Sequence, residues 1–167
     1  MIKCIVDFWA SVPKNKKHGV LSMQSVPVKK LSPGAKLPTY GSLEAAGADL
    51  YACLEQPVTV APGETVWIPT GIALEIPKGC AGLVYARSGL SCKRGLAPAN
   101  KVGVIDSDYR GELVVVLHNH GSSPQRVEHG ERIAQMVITP VLTPAYEEVK
   151  ELSSSDRGTG GFGSTGS

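Results

Sequence analysis

Apolar residues occupy every second position across much of the segment between Pro57 and Arg87. This period-two alternation is typical of β-strands that have one face against a core. Residues 61–64 (Ala-Pro-Gly-Glu) and 77–79 (Pro-Lys-Gly) interrupt the alternation with residues that favour tight turns. The segment is therefore predicted to form short strands joined by tight turns. The alternating residues are Val58, Val60, Val66, Ile68, Ile72, Leu74 and Ile76.

Three more β-branched segments, 102–105, 113–117 and 133–138, are separated by clusters of Gly, Asp, Ser or Pro. Their spacing is typical of a β-sandwich or barrel. A length of 167 residues suits one domain with its own core. The fold class is therefore predicted to be all-β. One short helix is expected, with Ser88 as its N-cap and Gly95 at its end.

The two ends of the chain differ from the predicted β domain, which we place at residues 26–150. Residues 1–25 have mixed composition without a repeating pattern, and we interpret them as an extension of unknown role. Residues 151–167 form a Gly-rich arm with too little apolar surface to order alone. A flexible terminus is one interpretation. Arg157 and Phe162 among the glycines favour the other, in which the arm closes over a ligand.

The net charge of +2 is unevenly distributed, because residues 1–30 contain six lysines against one aspartate, or +5, which leaves −3 for the remainder. We therefore expect no direct nucleic-acid binding by the folded part. No apolar stretch reaches the ~20 residues of a membrane span, so neither a membrane anchor nor a secretion signal is expected. The cysteines lack zinc-ligand spacing, which favours a reduced protein in the cytoplasm, or in the nucleus or an organelle of a eukaryote. They are Cys4, Cys53, Cys80 and Cys92.

Two polar clusters are candidates for chemistry. The sequence Ala-Arg-Ser-Gly at 86–89 follows a predicted strand and opens the predicted helix, where backbone N–H groups favour anions. It fits either a phosphate cradle or a capped turn. Residues 103–112 place Asp106 and Tyr109 between two apolar strands, either as an ordinary hairpin turn or as a pocket in which Asp106 acts on water. His118 and His120 alternate along a strand and share a face, which alone is weak evidence for a metal site.

Five segments, in order, resemble the five motifs of the trimeric dUTPase family, and the resemblance runs from about Val26 to the C-terminus. Each motif alone is modest, but the ordered set is highly specific. The segments are Ala-Gly-Ala-Asp-Leu-Tyr (46–51), Arg-Ser-Gly-Leu (87–90), Gly-Val-Ile-Asp-Ser-Asp-Tyr-Arg-Gly (103–111), Gly-Glu-Arg-Ile-Ala-Gln (130–135) and Arg-Gly-Thr-Gly-Gly-Phe-Gly-Ser-Thr-Gly (157–166).

The resemblance implies a jelly-roll-like β domain, a homotrimer, and three active sites that each draw on all three chains. It implies a dUTP diphosphatase that produces dUMP and diphosphate, limiting uracil incorporation into DNA and supplying dUMP for dTMP synthesis. The arm would order across a neighbour's nucleotide, with Phe162 stacked on uracil, a contact worth roughly 1–3 kcal/mol. Arg157 would reach the γ-phosphate, and Gly163 and Ser164 would also contact the substrate.

The resemblance also implies how the triphosphate is held. Arg87, Ser88, Gly89 and Gln135 would contact it, with Ser88 near the α,β-bridging oxygen, where charge grows as the bond breaks. Mg²⁺ would be held mainly by the phosphates and water, with Asp49 in its outer coordination shell. A metal site without a His or Cys cluster is therefore expected.

The third motif would supply the base and the specificity. Asp106 resembles the family's general base, which deprotonates a water attacking the α-phosphorus in line. Asn100 and the backbone of Gly103, Val104 and Ile105 would bind the uracil edge by mimicking base pairing, so that cytosine leaves buried partners unpaired. Tyr109 would lie against the deoxyribose and leave no room for a 2′-hydroxyl.

The sequence leaves two alternatives to a dUTP diphosphatase. A dCTP deaminase shares the architecture and an Arg-Ser phosphate motif, but residues 105–111 (Ile-Asp-Ser-Asp-Tyr-Arg-Gly) have the dUTPase form. A non-catalytic nucleotide-binding or regulatory member of the fold is the other alternative. The presence of Asp106, Ser88, Arg157 and Phe162 argues against lost catalysis, although a second binding role is compatible with it.

Overall fold

The computed structural model describes residues 25–161 of the chain, which contain twelve β-strands and one α-helix. This confirms the predicted all-β class. The strands are β1 Val28–Lys30, β2 Thr39–Tyr40, β3 Ala48–Tyr51, β4 Val58–Val60, β5 Thr65–Pro69, β6 Ile72–Leu74, β7 Cys80–Tyr85, β8 Leu96–Pro98, β9 Gly103–Ile105, β10 Val114–Asn119, β11 Gln125–Val127 and β12 Arg132–Pro140. The helix, α1, is Ser88–Arg94, between β7 and β8.

The strands form four antiparallel sheets, and non-consecutive strands pair in each of them. The largest sheet has the order β2-β3-β12-β7-β9, and a three-stranded sheet has the order β5-β10-β8. The pairs β1-β6 and β11-β4 complete the arrangement in the described part of the chain. The chain thus passes repeatedly from one sheet to another, which agrees with a jelly-roll-like fold.

Side chains from the different sheets meet in one apolar core. Leu50 of β3, Ile68 of β5 and Leu117 of β10 are fully buried and belong to the same cluster. Several of the alternating residues identified in the sequence belong to this core, since Val60, Ile72, Leu74 and Ile76 are also buried in it. The predicted turns form as expected, with Gly63 at φ 74° and Gly79 at φ 77°.

A β-bulge interrupts the pairing of β3 with β12. Ala134 pairs with Leu50 in regular register, but Arg132 pairs with Tyr51, so Ile133 is one extra residue in β12. Ile133 and Ala134 are consecutive, yet both are completely buried. The extra residue changes which side chains of β12 share a face. Arg132 therefore lies on the same face as Gln135, although strict alternation would place them on opposite faces.

The short helix forms where the sequence predicts it, but the predicted N-cap is wrong. Arg87 is the N-cap residue, and its extended backbone makes no side-chain cap hydrogen bond. Ser88 is therefore the first helical residue. Gly95 does end the helix, at φ 68°, and its N–H donates to the carbonyl oxygen of Ser91 at 3.0 Å.

The predicted hairpin at residues 103–112 is also wrong. β9 pairs with β7 in the five-stranded sheet, whereas β10 pairs with β5 and β8 in the three-stranded sheet. The segment between them therefore carries the chain from one sheet to another. Alternating apolar residues identify strands, but they do not specify which strands pair.

After β12 the described chain forms no regular element up to residue 161, and most of its side chains are exposed. Leu142, Tyr146 and Leu152 have exposed fractions of 80%, 98% and 88%. Within residues 25–161, no helix is long and apolar enough to cross a membrane.

Candidate active site

Asp49 lies at the centre of a polar face on the five-stranded sheet. It is in β3 directly opposite Gln135 of β12, and Gln135 is in turn opposite Tyr85 of β7. Directly opposed residues project from the same face of a sheet. Asp49 is only 8% exposed, one of three buried polar or charged residues in the described chain.

Two arginines share the carboxylate of Asp49. Arg87 Nε donates to Asp49 Oδ1 at 2.7 Å, and Arg132 Nη1 donates to Asp49 Oδ2 at 3.2 Å. Arg87 Nη1 also donates to the backbone carbonyl of Arg132 at 3.3 Å. The carboxylate thus orients two guanidinium groups on one face, and they retain N–H donors for a further anion.

Arg132 is the member of this cluster that sequence reasoning missed. It belongs to the segment 130–135, but only Gln135 of that segment was predicted to have a role. Arg132 and Gln135 are three positions apart, and only the bulge at Ile133 brings them to the same face. A charged residue inside the motif was the available signal, but strict alternation would have placed its side chain on the face opposite that of Gln135.

The Gln135 side chain is held by the backbone just after β7 and packs against Gly47. Its Nε2 donates to the carbonyl oxygen of Ala86 at 2.9 Å. A Cβ on Gly47 would lie 2.6 Å from Gln135 Oε1, so a larger residue there would displace the amide. The glycine of the 46–51 segment therefore makes room for Gln135.

Ser88 and Gly89 begin α1 immediately after Arg87, and both are exposed. A Cβ on Gly89 would meet no atom within 4 Å, so its backbone is openly accessible. The first N–H groups of a helix have no intrahelical partner. This places free donors beside the Arg87 guanidinium, an arrangement that could accept an anion, and the phosphate cradle stays a prediction.

Within residues 25–161, the predicted uracil-binding segment is a strand with one unpaired edge. β9 is the last strand of its sheet, pairing with β7 on one side, and Val104 is 61% exposed. Before it, Lys101 adopts φ 66°, and Val102 N–H donates to the carbonyl oxygen of Asn100 at 2.7 Å. A Cβ on Gly103 would lie 3.3 Å from Asn100 Nδ2. The Asn100 amide and the unpaired backbone edge are thus adjacent.

Asp106 and Tyr109 form the two ends of a tight turn. Tyr109 N–H donates to the carbonyl oxygen of Asp106 at 3.2 Å, and the Tyr109 hydroxyl donates to the carbonyl oxygen of Glu112 at 3.0 Å. The ring crosses Gly111, where a Cβ would lie 2.4 Å from the hydroxyl oxygen. The ring is therefore fixed, and Asp106 is exposed to solvent beside it.

Within one chain, Asp106 and the arginine cluster are far apart. Ile105 lies opposite Gly82 of β7, so Asp106 is beside the start of that strand, whereas Arg87 lies beyond its end. Five strand positions separate Gly82 from Arg87, which corresponds to roughly 17 Å. No side chain bridges such a distance, so one chain does not bring these predicted residues together.

Two of the surface cavities lie away from these predicted residues. One, of about 460 Å³, lies beside the turn and includes Ser107, Asp108 and Arg110. The other, of about 410 Å³, is lined by residues that include Cys53 and His129. Neither cavity is lined by Asp106, Arg87 or Gln135.

The C-terminal arm is described as far as residue 161. Arg157 Nε donates to the carbonyl oxygen of Gly160 at 2.8 Å, and the hydrogen bonds that the structure shows for residues 142–161 stay between Ser155 and Gly160. The predicted contacts of Phe162, Gly163 and Ser164 lie outside the described residues.

His118 and His120 do share a face, with ring centroids 4.4 Å apart. His118 Nδ1 is 2.8 Å from the hydroxyl of Thr65. Partial desolvation, followed by the charges of His118 and Lys101, lowers the pKa of His120. In the part of the chain that the structure describes, no group of three or more His, Cys, Asp or Glu side chains is arranged to hold a metal ion.

The fold and this face together define a class: an all-β, jelly-roll-like protein with two arginines and a helix start arranged on one polar face, where an oligophosphate anion would fit. The dUTPase family model matches residues 34–166. The chain belongs to the dUTPase family.

Individual relatives agree with this membership. The deoxyuridine 5′-triphosphate nucleotidohydrolase of Desulfitobacterium hafniense is 51% identical over 149 residues, covering 86% of this chain and 99% of its own length. The enzyme of the same name from Anaeromyxobacter is 52% identical over 139 residues, covering 83% and 93%.

Solved structures show the same similarity. Staphylococcus bacteriophage 80alpha dUTPase with dUpNHpp has a TM-score of 0.79 and 33% identity, covering 87% of this chain and 100% of its own. A mutant dUTPase from phage phi11 of S. aureus, which shows the coordination of a structural Mg(II) ion, has a TM-score of 0.71 and 27% identity, covering 78% and 100%.

Replacing Asp49 with asparagine should lower the free energy of unfolding. It should also leave Arg87 and Arg132 without their carboxylate, so that they can bind an added anion. Arg87 and Arg132 would lose their shared carboxylate, and we expect the free energy of unfolding to fall by about 1–3 kcal/mol. The loss is no larger because water reaches both arginine side chains, which are partly exposed. Inorganic pyrophosphate should recover more stability in Asp49→Asn than in the wild type. Urea unfolding with and without pyrophosphate measures both effects.

The matched control is Glu128→Gln. It removes a carboxylate from the exposed Arg126–Glu128 pair, whose side chains are 64% and 55% exposed, and should change stability by less than about 1 kcal/mol. Equal losses in the two variants would show that Asp49 is no more than an ordinary surface charge.

Proposed function

We propose that this dUTPase hydrolyses dUTP to dUMP and diphosphate at sites that form between the chains of a homotrimer. The observation that carries the proposal is the register of β9, which places Asp106 beside the start of β7, while Arg87 follows the end of that strand, roughly 17 Å away along it. A base and a phosphate site so far apart cannot act on one nucleotide, whereas residues from two chains can meet.

The arginine cluster and the start of α1 are suited to the triphosphate. Arg87 presents a planar set of donors, and planar guanidinium groups match phosphate oxygens. Ser88 adds a hydroxyl and Gly89 an open backbone N–H. Gln135 supplies an amide held by Ala86. Because these groups are already oriented, they stabilise the charge that develops on the leaving diphosphate.

Mg²⁺ is proposed as the cofactor, held by the substrate phosphates and water. Both carboxylate oxygens of Asp49 already accept hydrogen bonds from guanidinium groups, which fits an outer-shell contact through water better than direct coordination. The bound ion would neutralise charge on the phosphates and orient them. The phage phi11 relative contains a structural Mg(II) ion.

Asp106 is the proposed general base. It is exposed, lies next to the free edge of β9, and is anchored by the turn that Tyr109 closes. An ionised carboxylate there accepts a proton from a water, whose oxygen then attacks the α-phosphorus in line. The bond between the α-phosphorus and the bridging oxygen breaks, and diphosphate leaves.

The segment from Asn100 to Tyr109 is proposed to select deoxyuridine. The backbone N–H and C=O groups on the outer edge of β9 and the Asn100 amide can pair with the uracil edge, while cytosine would leave them unpaired. The Tyr109 ring, fixed against Gly111, forms a wall for the sugar. Gly103, Val104 and Ile105 contribute through their backbone.

The exposed segment after β12 supports the trimer independently. Leu142, Tyr146 and Leu152 are large apolar side chains with little contact to their own chain. Such side chains gain about 1.5–3 kcal/mol each when they are buried. We propose that a neighbouring chain buries them and that Arg157, Phe162, Gly163 and Ser164 then close over that neighbour's nucleotide.

We further infer a cytoplasmic location. Cys53, Cys80 and Cys92 are free thiols in the described structure, which suits a reducing compartment. Fractionation of cells that produce the protein tests this, and recovery outside the cytoplasm would contradict it.

The first assay is diphosphate release from dUTP, dTTP, dCTP and UTP with Mg²⁺. We expect turnover of dUTP alone, and a loss of about 10²–10⁴-fold in kcat for Asp106→Asn, with affinity for dUpNHpp changed only a few-fold. Glu75→Gln is the control, because Glu75 is an exposed carboxylate that lines the cavity beside the same turn. Wild type that releases no diphosphate from dUTP would support a binding or regulatory protein, and ammonia released from dCTP would support a deaminase.

Tyr109 variants test the selection against ribose. Tyr109→Ala should lower the ratio of kcat/KM for dUTP to that for UTP by at least about tenfold, because the wall against the 2′-hydroxyl is lost. Tyr109→Phe keeps the ring and loses only the hydrogen bond to Glu112, so it should retain most of the ratio. An unchanged ratio in Tyr109→Ala would exclude the ring from sugar selection.

Mixing two inactive variants tests whether sites are shared between chains. Asp106→Asn and Ser88→Ala, unfolded together and reassembled in equal amounts, should recover activity, because some sites then combine an intact Asp106 with an intact Ser88. Random assembly predicts about one quarter of wild-type activity for sites that draw these residues from two chains. Sites contained within one chain would recover none, and sedimentation of an active monomer would likewise exclude shared sites.

A further inference from the structure

Arg94, the last residue of α1, binds three separate acceptors with its guanidinium group. Its Nε donates to Gln125 Oε1 at 3.0 Å, its Nη1 to the carboxylate of Glu131, and its Nη2 to the backbone carbonyl of Arg126. All three nitrogens of the side chain are therefore engaged. The side chain is 30% exposed, and that of its partner Glu131 is 23% exposed.

These acceptors belong to the strand and turn that lead into β12. Glu131 is held from several sides, since its Oε2 accepts the Glu128 N–H at 3.0 Å and its backbone carbonyl accepts the Ala52 N–H at 2.8 Å. Arg132 follows directly and Gln135 lies three residues later. Arg94 thus joins the helix that carries Ser88 to the strand that carries the other half of the anion site.

Besides Arg94, the helix is held at its start by the N-cap residue Arg87, which pairs with Asp49, and it makes few other contacts. It contains seven residues, and Leu90 is its only buried residue. Two helical turns are not stable in isolation, so their position depends on tertiary contacts. The backbone bond from His120 N–H to the carbonyl oxygen of Gly95, at 2.8 Å, fixes the chain just after the helix.

We propose that Arg94 is a positioning residue for the triphosphate site, holding the start of α1 at a fixed distance from Gln135 and Arg132. The inference rests on the proposed function and deepens it. Arg94 is six residues from Ser88, roughly 9 Å along the helix, and all three of its nitrogens are engaged within the chain, so we assign it no contact with the substrate. It acts through the placement of Ser88 and Gly89.

The variants at Arg94 are chosen to separate the positive charge of its side chain from the planar fork of three nitrogens. Lysine retains the positive charge but has one ammonium nitrogen, which cannot reach three acceptors arranged around a planar fork. Methionine removes the charge and keeps a similar length. Arg126→Met is the matched control, because it removes an exposed arginine side chain from the adjacent strand and keeps the backbone carbonyl that Arg94 binds.

The test compares a ligand that has the triphosphate with one that lacks the β and γ groups. Calorimetric titration with dUpNHpp and dUMP, together with kcat and KM for dUTP, is measured for wild type, Arg94→Met, Arg94→Lys and Arg126→Met. Arg94→Met should weaken dUpNHpp binding about tenfold and dUMP binding less than about twofold, since small displacements of positioned groups have large effects. Arg94→Lys should weaken dUpNHpp binding less than Arg94→Met does, because lysine keeps the positive charge.

A thermal unfolding midpoint recorded for each variant separates positioning from folding. A lower midpoint with equal changes in the affinities for dUpNHpp and dUMP would overturn the proposal, as would unchanged affinities in Arg94→Met. Should Arg94→Met fail to fold, Glu131→Gln removes the charged partner and should show the same selective loss. Wild type and Arg126→Met that neither bind dUpNHpp nor hydrolyse dUTP would instead refute the proposed function itself.

Discussion

The proposed anion site depends on one buried carboxylate. Asp49 orients Arg87 and Arg132 across three neighbouring strands, at 2.7 and 3.2 Å. Two guanidinium groups on one face repel each other, and a shared carboxylate offsets that repulsion while it leaves donors free for a ligand. The sheet supplies the carboxylate, the bulge supplies one arginine and the end of β7 supplies the other. Their geometry exists only when all three strands are in register.

The same register separates the base from this cluster. β9 is antiparallel to β7, so the chain moves away from Arg87 as it approaches Asp106. The proposed sharing of sites between chains follows from that direction, because a partner's Asp106 can approach a cluster that its own cannot. A shared site would also couple activity to assembly, since an isolated chain would hold every residue and no complete site.

Much of the fold could be predicted from local pattern. Val58 and Val60, and likewise Ile72 and Leu74, lie two positions apart in their strands, and all four pack in the core. Two local predictions were wrong for related reasons. Ser88 is a common N-cap type, yet the preceding Arg87 is the N-cap residue, and its side chain pairs with Asp49 and does not cap the helix. The turn after β9 resembles a hairpin in sequence, yet each flanking strand finds its partner elsewhere.

The sequence by itself determined the all-β class, the helix between two strands, the tight turns, and the five segments that carry the family's chemistry. These depend on residue type and short spacing, which act locally. Only the tertiary structure decided which strands pair, that Ile133 is an extra residue in β12, and that Arg132 therefore joins Asp49. A one-residue shift reverses the face of every side chain beyond it. Pairing between distant strands fixes that shift, and residue spacing along the chain does not.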